Sequence, residues 1–508
     1  MSLSPLDILV FAAFYGLVLG VSLWKSRGRR TSEDYFLGGR RLPWWLIGVS
    51  IVAANISTEQ FVGMAGQAAG DVGLAVSAWQ LVGAVAIVIV AFTFLPRFLR
   101  AGIYTMPEYL EYRYSAAPRT VMSVLTVVIY VTVTTTAVLY SGATALETIF
   151  GLSLPVALVV LCGIAVAYVL WGWLLAAVWA DLFQGSALLV GGLLTLGLGL
   201  VAVGGPGAFL HANADRLHMV LPRSHPELPW TVLLGGMWIP NLYYCGLNQF
   251  ITQRTLAARS LGQGQAGIVL AAALWLLVPF AIVMPGAIAH QLYGAQLQRP
   301  DQAYPMLIRE LVPAGLRGFI LAALAGAVIS TLASVLNSAS TLFTMDLYKR
   351  FFRKQAGQGE LVAVGRVTTV AALVLAAALA TSPFLEGGVF KFIQEFQGYV
   401  SPGIVAAFLF GFVVPKAPPL AGLAALVLSA PVYGLLAWAR PDVAYLHRML
   451  ATLGVLLAAM AAITAARPLA EPRRLPVREG FDMRSSRPAL AGGLVVILAV
   501  VAFFRAFR

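Results

Sequence analysis

The chain has 508 residues, 60% of them hydrophobic and 11% charged, with a formal net charge of +13. A soluble domain is about a quarter charged, so this composition excludes one and indicates a polytopic membrane protein. The positive charge does not indicate a nucleic-acid partner, because the basic residues gather in alternate loops between apolar runs.

Windowed hydropathy gives about fourteen spans of the roughly 20-residue length that crosses a bilayer. The first lies near 6–24. It starts MSLSPLD without a basic leader and meets KSRGRR without a small-residue cleavage site, so it reads as a retained helix. The second, near 43–67, is interrupted by polarity. Its middle, AANISTEQF, places Asn55, Ser57, Thr58, Glu59 and Gln60 where each polar group is expensive and the carboxylate most of all. Spans follow near 73–96, 118–148, 154–173 and 176–203, the last carrying Asp181, a functional candidate by its cost alone.

A second interrupted span lies near 229–252. There, in GGMWIPNLYYCGLNQFITQRTLA, Pro240 removes a backbone donor, and Asn241, Tyr243, Tyr244, Asn248 and Gln249 crowd the expected break. After a span near 263–292, a third polar locus falls in the span near 312–346. Ala327, Ser330 and Thr331 recur at i, i+3 and i+4, so a carbonyl and two hydroxyls share one helical face. Serine and threonine bonding back to their own helix is the plain alternative. The remaining spans lie near 361–382, 389–413, 418–437, 443–465 and 488–505.

The basic groups are Lys25, Arg27, Arg29, Arg30, Arg40 and Arg41; Arg97, Arg100, Arg113 and Arg119; Lys349, Arg350, Arg353 and Lys354; and Arg467 to Arg487. They occupy alternate loops, the positive-inside pattern, which with an even number of spans puts both termini outside the cytoplasm. The cysteines, Cys162 and Cys245, fall within spans, so a disulfide framework or metal cluster is not expected.

The two interrupted spans are the second and the seventh, five apart, as an inverted repeat of five plus five helices requires. Irregular backbone at membrane depth is tolerated where it is buried in protein or lines a cavity. Polar residues can also act as interhelical glue at about 0.6 kcal/mol each, but two dense clusters at matching positions favour a cavity. Carbonyls freed at Ala53 and Ile56, facing Ala327, Ser330 and Thr331, would make a five-oxygen cage suited to a monovalent hard cation.

Four stretches, AANISTEQFVGMAG, NLYYCGLNQFITQRTLAA, LASVLNSASTLFTMDLYK and IQEFQGYVSPGI, resemble the sodium/solute symporter family, especially its bacterial sodium/sugar branch. The resemblance covers roughly residues 30–415 in the family's motif order. It implies an all-α LeuT-like fold: a first helix and basic loop over 1–42, a transport core over 43–415, and three further helices over 416–508. It assigns the coupling sodium to Ala53, Ile56, Ala327, Ser330 and Thr331, and the inward sodium path to Asp181. Ala333 stands where relatives with a second sodium offer a hydroxyl, although Ser334 remains, so one sodium per cycle is expected. The resemblance further makes Tyr244 the inner gate and Met64, Trp79 and Phe390 the outer gate. Asn55, Gln60, Asn241 and Gln394 match polar groups near the cargo.

This chain departs from the sugar branch at four cargo positions: Gln80 replaces a glutamate, Gly83 a serine, Thr134 an asparagine and Trp275 a lysine. The glutamate and lysine would supply charge-assisted hydrogen bonds of about 1.5–3 kcal/mol each. A galactose-type site is therefore not expected; another sugar, a polyol or a less polar solute is. The cargo residues become Asn55, Gln60, Gln80, Asn241, Tyr244, Trp275 and Gln394, and Lys391 either attracts an anion or snorkels to water.

The expected function is sodium-coupled import of a neutral polar solute at the inner (plasma) membrane, with the lipid bilayer as surroundings. Sodium import of a monocarboxylate, amino acid or vitamin is the alternative, and it calls for basic groups or free helix N-termini in the cavity. A transporter-like sensor lacks an attached signalling domain here, and an intramembrane enzyme lacks a base paired with Cys245 or Asp181.

Overall fold

Backbone in a bilayer must satisfy its own donors and acceptors, which favours helices wherever the sequence stays apolar. The computed structural model describes residues 4–26, 42–171, 174–385 and 387–508; among them are helices, turns and isolated bridges, and no strand. The loop residues Arg27, Arg29, Arg30, Arg40 and Arg41 lie outside the described residues.

In chain order the main helices are Pro5–Ser26, Trp44–Asn55, Gln60–Ala69, Gly73–Ala101, Ala116–Phe150, Leu154–Trp171, Leu174–Ala202, Trp238–Gly246, Gln249–Leu256 and Leu261–Gln296. Then come Leu316–Phe352, Gln358–Leu379, Val389–Gln397, Ser401–Val413, Pro419–Ala439, Tyr445–Ala466 and Arg487–Ala506. Among the described residues, nine helices are long and apolar enough to cross a membrane, or up to eleven if each bent pair is one span. That measure does not reach the expected fourteen. The helices Pro5–Ser26 and Leu154–Trp171 are 22 and 18 residues long, and polar residues dilute the stretch 238–256.

The first interruption falls where the sequence places it. Trp44–Asn55 ends at Ile56, whose backbone is extended (φ −89°, ψ 97°), and Gln60–Ala69 resumes bent by 59°. The second interruption is displaced from the expected one. Pro240 stands in the first turn of Trp238–Gly246, where a missing N–H costs nothing. The break comes at Leu247 and Asn248, the latter extended (φ −79°, ψ 124°) at the start of Gln249–Leu256. A third bend was not expected: Val389–Gln397 and Ser401–Val413, read as one span, meet at 46°. Pro402 in the first turn of the second half cannot donate into the preceding turn.

Close crossings are built from small residues. A Cβ on Gly48 would lie 2.8 Å from the Gly267 carbonyl, and one on Gly267 would lie 2.8 Å from the Trp44 carbonyl. Helices Trp44–Asn55 and Leu261–Trp275 therefore touch backbone to backbone, as membrane helices do when small residues face each other. Outward faces remain apolar: Leu498 is 68% and Val374 65% exposed, a surface that suits lipid rather than water. The first helix is stapled to the core through Asp7, which accepts from the backbone N–H of Gly315 (2.8 Å) and Gly318 (2.9 Å) and pairs with Arg317 at 2.9 Å.

Candidate functional site: a central cavity between interrupted helices

Because the interrupted helices pack on each other and on common neighbours, polar groups from distant parts of the sequence meet in one place. A central cavity is lined by Asn55, Glu59 and Gln60 of the first interrupted stretch, and by Trp79, Gln80 and Thr134 of the next two helices. Opposite them stand Asn241, Tyr244 and Cys245, then Trp275, and finally Phe390, Gln394 and Gln397. All seven expected cargo residues line it. Of the expected outer gate, Trp79 and Phe390 line it as well, whereas Met64 is fully buried nearby without lining it.

The amides are ordered among themselves. Gln80 Nε2 donates to Asn55 Oδ1 (3.1 Å) and to Gln60 Oε1 (2.7 Å), while Asn241 Nδ2 donates to the Met237 carbonyl (2.9 Å). At Gly83 a Cβ would lie 2.9 Å from Asn241 Oδ1, so the glycine gives that amide its place. Trp275 Nε1 and Glu59 Oε2 are buried without a hydrogen-bond partner, and both side chains face the cavity. An unsatisfied buried polar atom costs about 1–3 kcal/mol, so these two atoms are ready to meet a polar ligand.

Aromatic residues pack together at one side of the cavity. Trp79 meets Phe390 edge to face at 5.7 Å and stacks on Tyr445 at 6.5 Å. Tyr445 belongs to 416–508, outside the expected core, and no sequence signal marks it. Lys391 is paired within the protein: its Nζ lies 2.8 Å from the Glu227 carboxylate, which also accepts from Gln67 at 3.2 Å.

The expected sodium ligands lie beside the same interruption. Ala53, Ile56, Ala327, Ser330 and Thr331 are all buried, and their helices pack against each other and against Leu174–Ala202. Ala53 is fitted against Gly185, where an added Cβ would come within 2.6 Å of the alanine Cβ. Thr331 Oγ1 and Ser57 Oγ are buried oxygens without a partner. Such a set of neutral oxygens, some left free, fits a monovalent cation. Asp181 is fully buried and accepts from Ser50 Oγ (2.8 Å) and from Ser330 Oγ. No partner for it was expected, yet it pairs with Arg254 at 2.8 Å. Arg254 went unremarked because it sits among ordinary polar residues of QFITQRTLA, although a buried arginine at membrane depth is itself a signal.

Among the described residues no group of His, Cys, Asp and Glu could hold a clustered metal, and both cysteines are free. Residues 35–427 match the model of the "Sodium:solute symporter family". The chain is 38% identical to the "Sodium/glucose cotransporter" of Vibrio parahaemolyticus, covering 98% of each chain. It is 34% identical to mouse "Sodium/myo-inositol cotransporter 2", over 81% of this chain and 66% of that one. Among solved structures, a Na+-coupled sialic acid symporter in a substrate-bound outward-open state superposes with a TM-score of 0.80 at 22% identity, covering 93% and 99% of the two chains. A transporter of the nucleobase-cation-symport-1 family matches at 0.55 and 17% identity, over 86% and 96%. The fold is therefore all-helical and LeuT-like, as expected.

Proposed function

Since the chain belongs to the sodium:solute symporter family, with sodium as its coupling ion, we propose that it imports a small neutral polyhydroxyl solute, a sugar or polyol. The observation that carries this reading is the lining of the cavity: amides, aromatic faces and one carboxylate, with no Lys or Arg. Hydroxyls both donate and accept, so they can satisfy Glu59 Oε2 and Trp275 Nε1, while an aromatic platform covers the apolar face of a ring. An anionic cargo would meet Glu59 without a basic partner and lose free energy on burial. The sugar and inositol cotransporters among the relatives support the same class.

Sodium binds first, at the carbonyls of Ala53 and Ile56 and at Ala327, Ser330 and Thr331, and favours the outward-open state. The cargo then settles beside Asn55, Gln60, Gln80, Asn241, Trp275 and Gln394 under Trp79 and Phe390. As the protein turns inward, Tyr244 moves aside and both leave. One sodium crossing 100 mV supplies about 2.3 kcal/mol, and a tenfold gradient adds about 1.4 kcal/mol. Together these support roughly 500-fold accumulation at one-to-one coupling.

A thermal-shift screen of sugars, polyols and carboxylates, in sodium and in potassium, tests the proposal. Sodium-dependent stabilisation by a sugar or polyol is the expected result; stabilisation by a carboxylate alone overturns it.

A further inference from the structure

A fully buried ion pair stands beside the proposed sodium ligands and has no part in the cycle above. Asp181 is 0% and Arg254 1% exposed, and their charged atoms lie 2.8 Å apart. Four helices meet here. Ser50, one turn before Ala53, donates to Asp181 Oδ2 at 2.8 Å and accepts from Arg254 Nε at 2.7 Å. Ser330, itself a proposed sodium ligand, donates to Asp181 Oδ1. Arg254 also donates to the Phe250 carbonyl, so it is anchored to its own half-helix after the second interruption.

The arrangement has a directional consequence. Ser330 has one proton, and giving it to Asp181 leaves the hydroxyl lone pairs for an ion. Asp181 Oδ1 carries no contact to arginine, so it is the oxygen a departing sodium meets first. The arginine sits on the other oxygen. A bare carboxylate next to the ion would hold it strongly at this depth, because burial weakens screening. A guanidinium cannot lose its proton in a protein, so its charge is constant.

We propose that Arg254 is a tethered cation that neutralises Asp181 and so keeps the sodium site weak enough to empty inward. Sodium and Arg254 share one carboxylate: the guanidinium yields part of it as sodium arrives and reclaims it as sodium leaves. The residue is a positioning residue, acting on the ion through Asp181 and Ser330. The proposal rests on the sodium-site reading above.

The test uses radiolabelled sodium and the purified full-length protein, so it does not depend on the cargo. Arg254→Gln should lower the sodium dissociation constant by about tenfold, the equivalent of 1.4 kcal/mol, and slow sodium release by a similar factor. Arg254→Lys, which keeps the charge, should restore most of the release rate. The double variant Asp181→Asn with Arg254→Gln removes both charges; its affinity should return toward that of the unaltered protein, and it guards against a single variant that fails to fold. Unchanged or weaker sodium binding in folded Arg254→Gln, or a double variant that binds sodium as tightly as a tightened Arg254→Gln, overturns the proposal. Sodium binding that survives Thr331→Ala instead overturns the site reading on which it stands.

Discussion

The two interrupted helices look alike in sequence and differ in how their breaks are filled. At the second, protein groups close the gap. Tyr130 donates from its hydroxyl to Asn248 Oδ1 at 2.6 Å and accepts from the Phe250 N–H at 3.2 Å, so the freed backbone is satisfied from a neighbouring helix. At the first, Ser57 Oγ and Glu59 Oε2 are buried without partners, and Thr331 Oγ1 opposite is also free. The comparison teaches that a break in a membrane helix is not by itself a binding site. It becomes one where the surrounding protein declines to fill it, and the proposed sodium site lies at the unfilled break.

The largest expected effect breaks this contrast at the open end. Thr331→Ala, alone or with Ser330→Ala, should abolish sodium-driven uptake into vesicles, with sodium affinity falling on the order of a hundredfold, about 2.7 kcal/mol. Undiminished uptake would show that the free oxygens at the first break do not hold the ion. At the filled break the expectation is the reverse. Tyr130→Phe leaves Asn248 Oδ1 and the Phe250 N–H buried without a partner, which should lower stability by about 1–3 kcal/mol and depress Tm. Its sodium half-saturation should stay where it is, and a shift there would erase the distinction between the two breaks. The smallest effect concerns the cavity between them. Gln80→Glu with Trp275→Lys should move cargo preference toward hexoses by about tenfold, or 1.4 kcal/mol, leaving the sodium dependence intact. An unaltered cargo profile would mean that these side chains do not read the cargo.

Much of this was legible in the chain. Asn55 through Gln60 are too polar for a continuous bilayer helix, and the bend of 59° falls there. The residues expected to meet the cargo, from Asn55 to Gln394, also converge on one cavity. Pro240 misled, because its effect depends on its place in the helix: in a first turn it is harmless, and the break moved to Asn248. The bend between Gln397 and Ser401 was not expected, although the sequence changes there from the polar VFKFIQEFQ to the apolar SPGIVAAFLFGFV, with Pro402 in its first turn. Tyr445 and Arg254 escaped for a different reason, since Trp79 and Asp181, their partners, lie far away in the sequence.

Composition and pattern alone determined that the chain is helical and membrane-bound, where its first interrupted helix breaks, and which small and hydroxyl residues share a face. Those properties are local, set by hydropathy and by the 3.6-residue period of one helix. Only the tertiary structure decided which break is left open, that Asp181 is paired with Arg254 across 73 positions, and that Trp79 is covered from the last part of the chain. The reason is physical: whether a buried polar atom is satisfied depends on what packs against it, and the packing partners come from elsewhere in the sequence.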